Sequence, residues 1–225
     1  MSLRRYARAI PANALGSYAL GATTGINPAT PFASAEVFQF RWNPTDRTKV
    51  AAIRKVEVSA AVSTTYFAAG VPVSLLANRC SAWSVAGTVG AAITPAATVK
   101  RDSSMPSTNL VAGDCRIAGT DAAGLGAGTK TIEANAIAHI VSGAPITASL
   151  SGQIFPPGTE LLRGDIASGD YPLILRAGAA AANAEGFIIR AIAPATGTWR
   201  LSVNIEWDEF NDQSLFSNLL YGDPR

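Results

Sequence analysis

The sequence has little of the residues on which catalysis, metal binding and nucleic-acid binding depend. Its 225 residues include one histidine and two cysteines, and only 15% are charged, against about 25% in an average soluble domain. The formal net charge of +2 is too small to indicate nucleic acid as a direct partner. No apolar run approaches the ~20 residues of a membrane helix, and no apolar segment follows the first arginines. We therefore expect neither a membrane span nor a signal peptide.

The few nucleophilic and metal-binding side chains are not arranged for chemistry. His139 lies among alanines and isoleucines, and no G-x-S-x-G motif supplies an activated serine, so we interpret it as a structural histidine. Cys80 and Cys115 are far apart and lack the spacing of a metal site. We expect a pair of buried free thiols, with a disulfide left open as the alternative.

Two motifs invite a functional interpretation, and neither meets its requirements. The glycine-rich stretch 119–131 resembles a phosphate loop, but Thr129 stands between Gly128 and Lys130, where that motif requires Gly-Lys-Ser/Thr in succession. An acidic cluster near the C-terminus could bind calcium, yet it lies at a strand end, where solvated charge is normal. Its members are Glu206, Asp208, Glu209 and Asp212. We expect no catalytic residue, no cofactor and no metal ligand.

The residues that are abundant indicate β-structure. From Trp199 to Trp207 every second residue is apolar, and the residues between are polar, which predicts a strand with one buried face. The preceding run, 187–193, is apolar on both faces and predicts a more deeply buried strand. Because the connection 194–197 begins with proline and ends with glycine, we expect these two strands to form a hairpin.

About eight short strands separated by glycine and proline indicate an all-β, antiparallel two-sheet sandwich, with a jelly roll as the favoured topology. Residues 49–62 form a further strand, in which Val50, Ala52, Val56 and Val58 are expected in phase. Residues 86–130 predict long loops with one strand near Cys115. The segment 131–141 fits either a strand or a helical turn. The remaining predicted strands are 35–42, 71–77 and 171–175.

The two ends of the chain differ from the predicted domain at 35–209. Residues 1–34 predict an extended arm that lies along another subunit or along its own domain, because apolar residues are interrupted by glycine and proline. Residues 210–225 predict a short helix or tail with one apolar stripe. The candidate assembly interface comprises Arg4, Arg5, Tyr6, Arg8, Ile10, Tyr18, Leu215, Phe216, Leu219 and Leu220.

Three segments resemble those of small virion structural proteins of tailed bacteriophages. They are 38–42 with the strand 49–58, the stretch 66–71, and 171–175 leading to 185–190 and 194–199. The resemblance covers most of residues 35–209. It implies a β-rich, oligomeric and non-enzymatic protein located in the virion, and it does not decide between head and tail.

The resemblance and the composition together lead to two functional hypotheses. The first is a capsid decoration or cement protein that forms a homo-oligomer, with a trimer as the expected state, and binds the major capsid protein. The second is a tail or fibre module that binds a host carbohydrate or another tail protein. The second requires exposed loop aromatics, for which Trp83 is the candidate because the other tryptophans are in phase with strand interiors.

Overall fold

The chain forms two antiparallel β-sheets that pack face to face. A computed structural model describes residues 14–28, 36–67, 72–119, 125, 128–143, 152–164, 171–194 and 196–212. The strands are β1 Gly16–Thr23, β2 Asn27–Pro28, β3 Glu36–Trp42, β4 Lys49–Val62, β5 Ser74–Val85, β6 Ala91–Ile93, β7 Val99–Lys100, β8 Cys115–Ile117, β9 Thr129–Val141, β10 Gln153–Arg163, β11 Leu173–Arg176, β12 Ala184–Ile192 and β13 Thr198–Asn211. This confirms the all-β, two-sheet prediction. No helix in this part of the chain is long and apolar enough to cross a membrane.

The chain passes repeatedly from one sheet to the other. The first sheet has the order β10-β4-β13-β1-β7, with β11 beside β4 and β2 beside β13. The second sheet has the order β6-β8-β3-β12-β5-β9. The long strands of the first sheet are therefore β1, β4, β10 and β13. They face the long strands of the second sheet, which are β3, β5, β9 and β12. The segment between β5 and β9 supplies β6, β7 and β8, which extend both sheets on the same side.

A single large core fills the space between the sheets. The rings of Phe40 from β3 and Trp207 from β13 meet edge to face across it, with centroids 5.5 Å apart. The predicted alternation in β13 is confirmed, because its five apolar residues from Trp199 to Trp207 are at most 1% exposed. Burying each large apolar side chain contributes roughly 1.5–3 kcal/mol before the loss of entropy is counted.

The predicted hairpin between residues 187 and 207 is wrong. β12 pairs with β3 and β5 in the second sheet, whereas β13 pairs with β1 and β4 in the first. A strand buried on both faces is central, so both of its edges are already occupied and the next strand must leave for the other sheet. The 194–197 connection is therefore a crossing between sheets.

The predicted phase of β4 is wrong in its first half. Glu206 pairs with Lys55 and Trp207 pairs with Ile53, so Arg54 is an extra residue in a β-bulge. The bulge reverses the faces: Val56 and Val58 belong to the central core, whereas Val50 and Ala52 pack with Phe210 in a separate cluster on the outer face. Residues 50–53 are all apolar, so alternation alone does not decide which of them share a face with Val56 and Val58.

Other predicted boundaries also differ from those in the structure. Residues 16–23, assigned to the arm, form β1 between β13 and β7, so this part lies along its own domain. The ambiguous segment 131–141 belongs to strand β9, and the strand near Cys115 is confirmed as β8. Phe210 and Asn211, assigned to the tail, end β13. The predicted helix stripe at 215–220 lies outside the described residues.

Candidate assembly surfaces and buried polar sites

Of the ten predicted interface residues, the structure describes only Tyr18. Its side chain is fully buried, its ring packs on Trp207 with centroids 5.6 Å apart, and its hydroxyl donates to the Pro106 carbonyl at 3.0 Å. Burial, reinforced by the Glu209 carboxylate, raises the pKa of Tyr18 to about 12. Tyr18 is thus a core residue of its own chain. The other nine residues lie outside the described part.

The first and last described residues of the chain lie at the same end of the first sheet. β1 and β13 are antiparallel neighbours with Gly16 opposite Glu209, so the start of one strand lies beside the end of the other. The Leu15 amide donates to the Glu209 carbonyl at 2.7 Å, and the Asp212 amide donates to the Thr48 carbonyl at 2.8 Å. Residues before 14 and after 212 therefore attach to the same end of the first sheet.

The acidic cluster near the C-terminus does not converge. Glu206 pairs with Arg101, Asp208 with Arg54 at 3.1 Å, and Asp212 with Arg176 at 3.4 Å. Glu209 points into the sandwich, where its carboxylate accepts from the Asn109 side chain at 2.6 Å and from the Trp207 indole at 3.1 Å. Among the described residues, no three His, Cys, Asp or Glu side chains are grouped to hold a metal ion. Instead, the buried Glu209 carboxylate anchors the 102–110 loop over one end of the core.

A buried ion pair ties three segments to β3, on the same face as Trp83. Arg41 binds Asp114 at 2.8 Å and also donates to the carbonyls of Trp83, Ser84 and Ala181 at 2.8–3.0 Å. Burial raises the pKa of Asp114 in spite of the guanidinium beside it. Nothing in the sequence pairs these residues, because they are far apart along the chain and each occurs in an ordinary strand or turn context.

A second buried polar network lies on the outer face of the second sheet. Lys130 Nζ lies 2.7 Å from Glu36 Oε2, and Gln39 Nε2 donates to the same oxygen at 2.6 Å. The Lys130 and Glu36 side chains are only 3% and 2% exposed. Lys130 Nζ also lies 4.6 Å from the centre of the Trp83 ring. The network therefore places an amine, an amide and a carboxylate together away from water.

The cysteines are buried free thiols, as expected. Cys80 packs with Trp83 and Ile188 beneath the Lys130 network, and burial raises its pKa to about 12. Cys115 is in the central core, where burial raises its pKa further. A thiol held in the protonated form is a poor nucleophile and a poor metal ligand. His139 is exposed on β9. This corrects the expectation of a histidine satisfied within the fold.

The edges of both sheets are built in ways that hinder pairing with another chain. β9 falls out of register with β5 at four places. β10 carries Pro156, Pro157 and Gly158 and is interrupted by register shifts of its own. On the opposite side, β6 and β7 have three and two residues. Bulges, prolines and short strands are the usual devices that prevent edge-to-edge association.

The exposed surface offers two further features. A shallow depression of about 280 Å³ crosses the outer face of the first sheet between Glu57, Val99 and Asn204. Tyr171 precedes β11 and is 81% exposed. Trp83, the candidate for sugar binding, is fully buried and its indole donates to the Val85 carbonyl at 2.8 Å, so it is not available to a ligand.

These features define an all-β protein of the antiparallel two-sheet sandwich class. Comparison with known proteins finds no family model, no curated protein and no solved structure that matches the chain.

Proposed function

We propose that this protein is a non-enzymatic structural component of a bacteriophage virion, a decoration or cement protein with a jelly-roll fold. It assembles as a homo-oligomer, with a trimer as the working hypothesis, and binds the major capsid protein. In this proposal its terminal segments reach neighbouring subunits, and neither nucleic acid nor a membrane is a direct partner.

The observation that carries the proposal is the order of the eight long strands. Taken along the chain as B to I, they are β1, β3, β4, β5, β9, β10, β12 and β13. The first sheet then has the order B-I-D-G, and the second has the order C-H-E-F. This order of two four-stranded sheets supports the proposed jelly roll, a fold frequent in viral capsid and lectin domains. Because fold alone does not fix function, the surfaces must supply the rest.

The surfaces favour attachment through the chain ends. The core between the sheets is complete within one chain, and the sheet edges carry bulges, prolines or short strands. The terminal segments attach at the same end of the first sheet, next to Leu15 and Asp212, and both contain apolar residues that need cover. Two terminal segments attached at the same end of the domain can bind one neighbouring subunit together, while the sandwich lies on the particle surface.

Immunogold electron microscopy of virions with an antibody against this protein tests the proposal. We expect regular labelling of the head. Labelling confined to the tail or its fibres contradicts the decoration role and supports the second candidate. Absence of label from purified virions, with the protein detected in the lysate, overturns both.

The second candidate is a tail-associated module that binds carbohydrate. It is favoured by the depression bordered by Glu57 and Asn204, because carboxylate and amide groups are common sugar ligands, and by the exposed Tyr171 ring. A glycan array with the wild-type protein and an Asn204→Ala variant distinguishes the two. Binding that the variant loses supports the tail module, whereas a blank array is expected for a decoration protein.

A further inference from the structure

The Glu36, Gln39 and Lys130 network joins distant parts of the second sheet. Glu36 and Gln39 are on β3, whereas Lys130 is at the start of the edge strand β9, and β12 and β5 lie between them. Lys130 therefore extends across two strands to reach its partners. An ordinary ion pair in such a place is unfavourable, because both charges lose their hydration.

The two nitrogen groups are held by a single carboxylate oxygen. Lys130 Nζ and Gln39 Nε2 lie 2.7 Å and 2.6 Å from Glu36 Oε2. Two donors on one oxygen are roughly 4–5 Å apart, so the lysine nitrogen lies beside the amide group and must approach its carbon to the ~3–3.5 Å that attack requires. The carboxylate thus positions a nucleophile beside an electrophile and can also carry the protons between them.

We propose that Lys130 and Gln39 condense spontaneously in the folded protein to form an intramolecular isopeptide bond, with Glu36 as the proton carrier. The amine attacks Cδ of Gln39, the new N–C bond forms, and the bond between Cδ and the amide nitrogen breaks. The lysine ammonium loses two protons in all. Both pass through the Glu36 carboxylate to the departing nitrogen, which leaves as ammonium, and Glu36 ends as it began. No oxidant or co-reactant is needed.

The surroundings favour the reaction. The Gln39 and Glu36 residues are each 1% exposed, and Trp83, Cys80 and Ile188 form a dry cluster on the same face. Excluding water removes the hydration shell that otherwise stabilises the ammonium and the carboxylate, so transfer of a proton between them costs less.

The consequence is a covalent tie between the edge and the centre of the sheet. β9 makes its strand pairings with β5 alone among the described strands, and it is out of register with β5 at four places, so it is the long strand of that sheet with the weakest hydrogen-bonded hold. A Lys130–Gln39 bond attaches it directly to β3. This inference rests on the buried network and not on the proposed virion role, and it stands or falls separately.

Intact mass spectrometry of the purified full-length protein under denaturing conditions is the test. We expect the wild type to weigh about 17 Da less than its sequence, the mass of ammonia. Lys130→Arg, which keeps the charge but lacks a nucleophilic amine, is expected at full sequence mass. Glu36→Gln, which removes the proton carrier, is also expected at full mass. Circular dichroism establishes that each variant is folded before its mass is interpreted.

Tryptic digestion locates the bond. Trypsin cannot cleave after a modified Lys130, so we expect peptide 9–41 joined to an uncleaved 117–163. A wild-type protein at full mass overturns the inference and leaves an ordinary buried ion pair. A loss of about 18 Da, the mass of water, overturns the assignment to Gln39, because it indicates condensation of Lys130 with Glu36 itself. The wild-type mass alone shows whether the bond forms, even if a variant fails to fold.

Discussion

At the scale of single residues, alternation along a strand is the most dependable guide to burial in this chain. Val203 is 1% exposed in the core, and the next residue, Asn204, is exposed on the outer face. The buried charges are different. Asp114, Glu36 and Lys130 are buried because a partner from a distant segment meets them there, and hydropathy carries no information about such partners.

Replacing Val203 by Asp should abolish or severely weaken folding, whereas Asn204→Asp should be tolerated. An unpaired carboxylate in the core costs more than about 3 kcal/mol, while the second change adds a solvated charge near Glu57 at a cost of less than about 1 kcal/mol. Urea unfolding of the two variants measures both. Equal losses of stability contradict the assignment of the faces of β13.

We expect Asp208 to contribute more to the free energy of unfolding at acid pH than at neutral pH. Burial raises its pKa above the unfolded value of 3.8, even though Arg54 lies 3.1 Å away. In the window between these two values the folded state binds more protons than the unfolded state, so the free energy of unfolding falls as pH rises through it. The contribution is complete below pH about 4 and lost above the raised pKa.

The Asp208→Asn variant isolates this effect. The carboxylates of Asp46 and Asp102, whose pKa values are lowered by hydrogen bonds from Thr48 and Ser104, are present in both proteins and cancel in the comparison. We expect the stability of the wild type relative to the variant to decrease as pH rises from 3.5 to 7, measured by urea unfolding at each pH (about half a unit apart). An increase means that Arg54 outweighs burial.

At the scale of elements, the sequence predicts which segments are strands better than which strands pair. β13, β3 and β8 were recognisable from their patterns, because a strand's faces depend on local alternation. The pairing of β12 with β3 and β5, the Arg54 bulge and the place of β1 in the first sheet depend on contacts between segments far apart in the chain. Of the candidate interface, Tyr18 was misplaced for the same reason.

Gly197 in the crossing between the sheets should not accept a side chain. Its φ of +107° is unfavourable for other residues, and an added Cβ would lie 2.9 Å from the Tyr66 carbonyl oxygen and 2.7 Å from the Phe67 ring. We expect Gly197→Ala to cost about 1–3 kcal/mol in thermal or urea unfolding.

Gly143→Ala is the matched control for this substitution. No described atom lies within 4 Å of its added Cβ, and its backbone is not in the left-handed region. We expect a change within about 0.5 kcal/mol. Similar losses for both glycines contradict the strained geometry assigned to the crossing.

Truncation should separate the terminal segment from strand β1. Deleting residues 1–13 leaves β1 and Tyr18 in place, so we expect a cooperative thermal melt. Deleting residues 1–30 removes β1, exposes the edge of β13 and opens a cavity beside Trp207, so we expect the melt to be lost. A cooperative melt after the longer deletion contradicts the place of β1 in the sheet.

At the scale of the whole molecule, a sandwich with its own complete core has both terminal segments attached at the same end of one sheet. All four tryptophans are buried within the chain, so folding does not require a partner to cover them. In the proposed virion role, the sandwich is a preformed body, and we propose that the segments before residue 14 and after residue 212 bind the particle. The arginines at positions 4, 5 and 8 suit an acidic neighbour, where surface pairs contribute about 0–1 kcal/mol each and mainly set orientation.

The most direct test of this account is co-sedimentation with phage particles that lack the protein, comparing the full-length chain with the chain that lacks residues 1–13. We expect the full-length protein to sediment with the particles and the truncated protein, shown to be folded by its cooperative melt, to remain in the supernatant. Binding of the truncated protein equal to that of the full chain contradicts assembly through the N-terminal segment. Failure of the full-length protein to sediment contradicts the virion role itself.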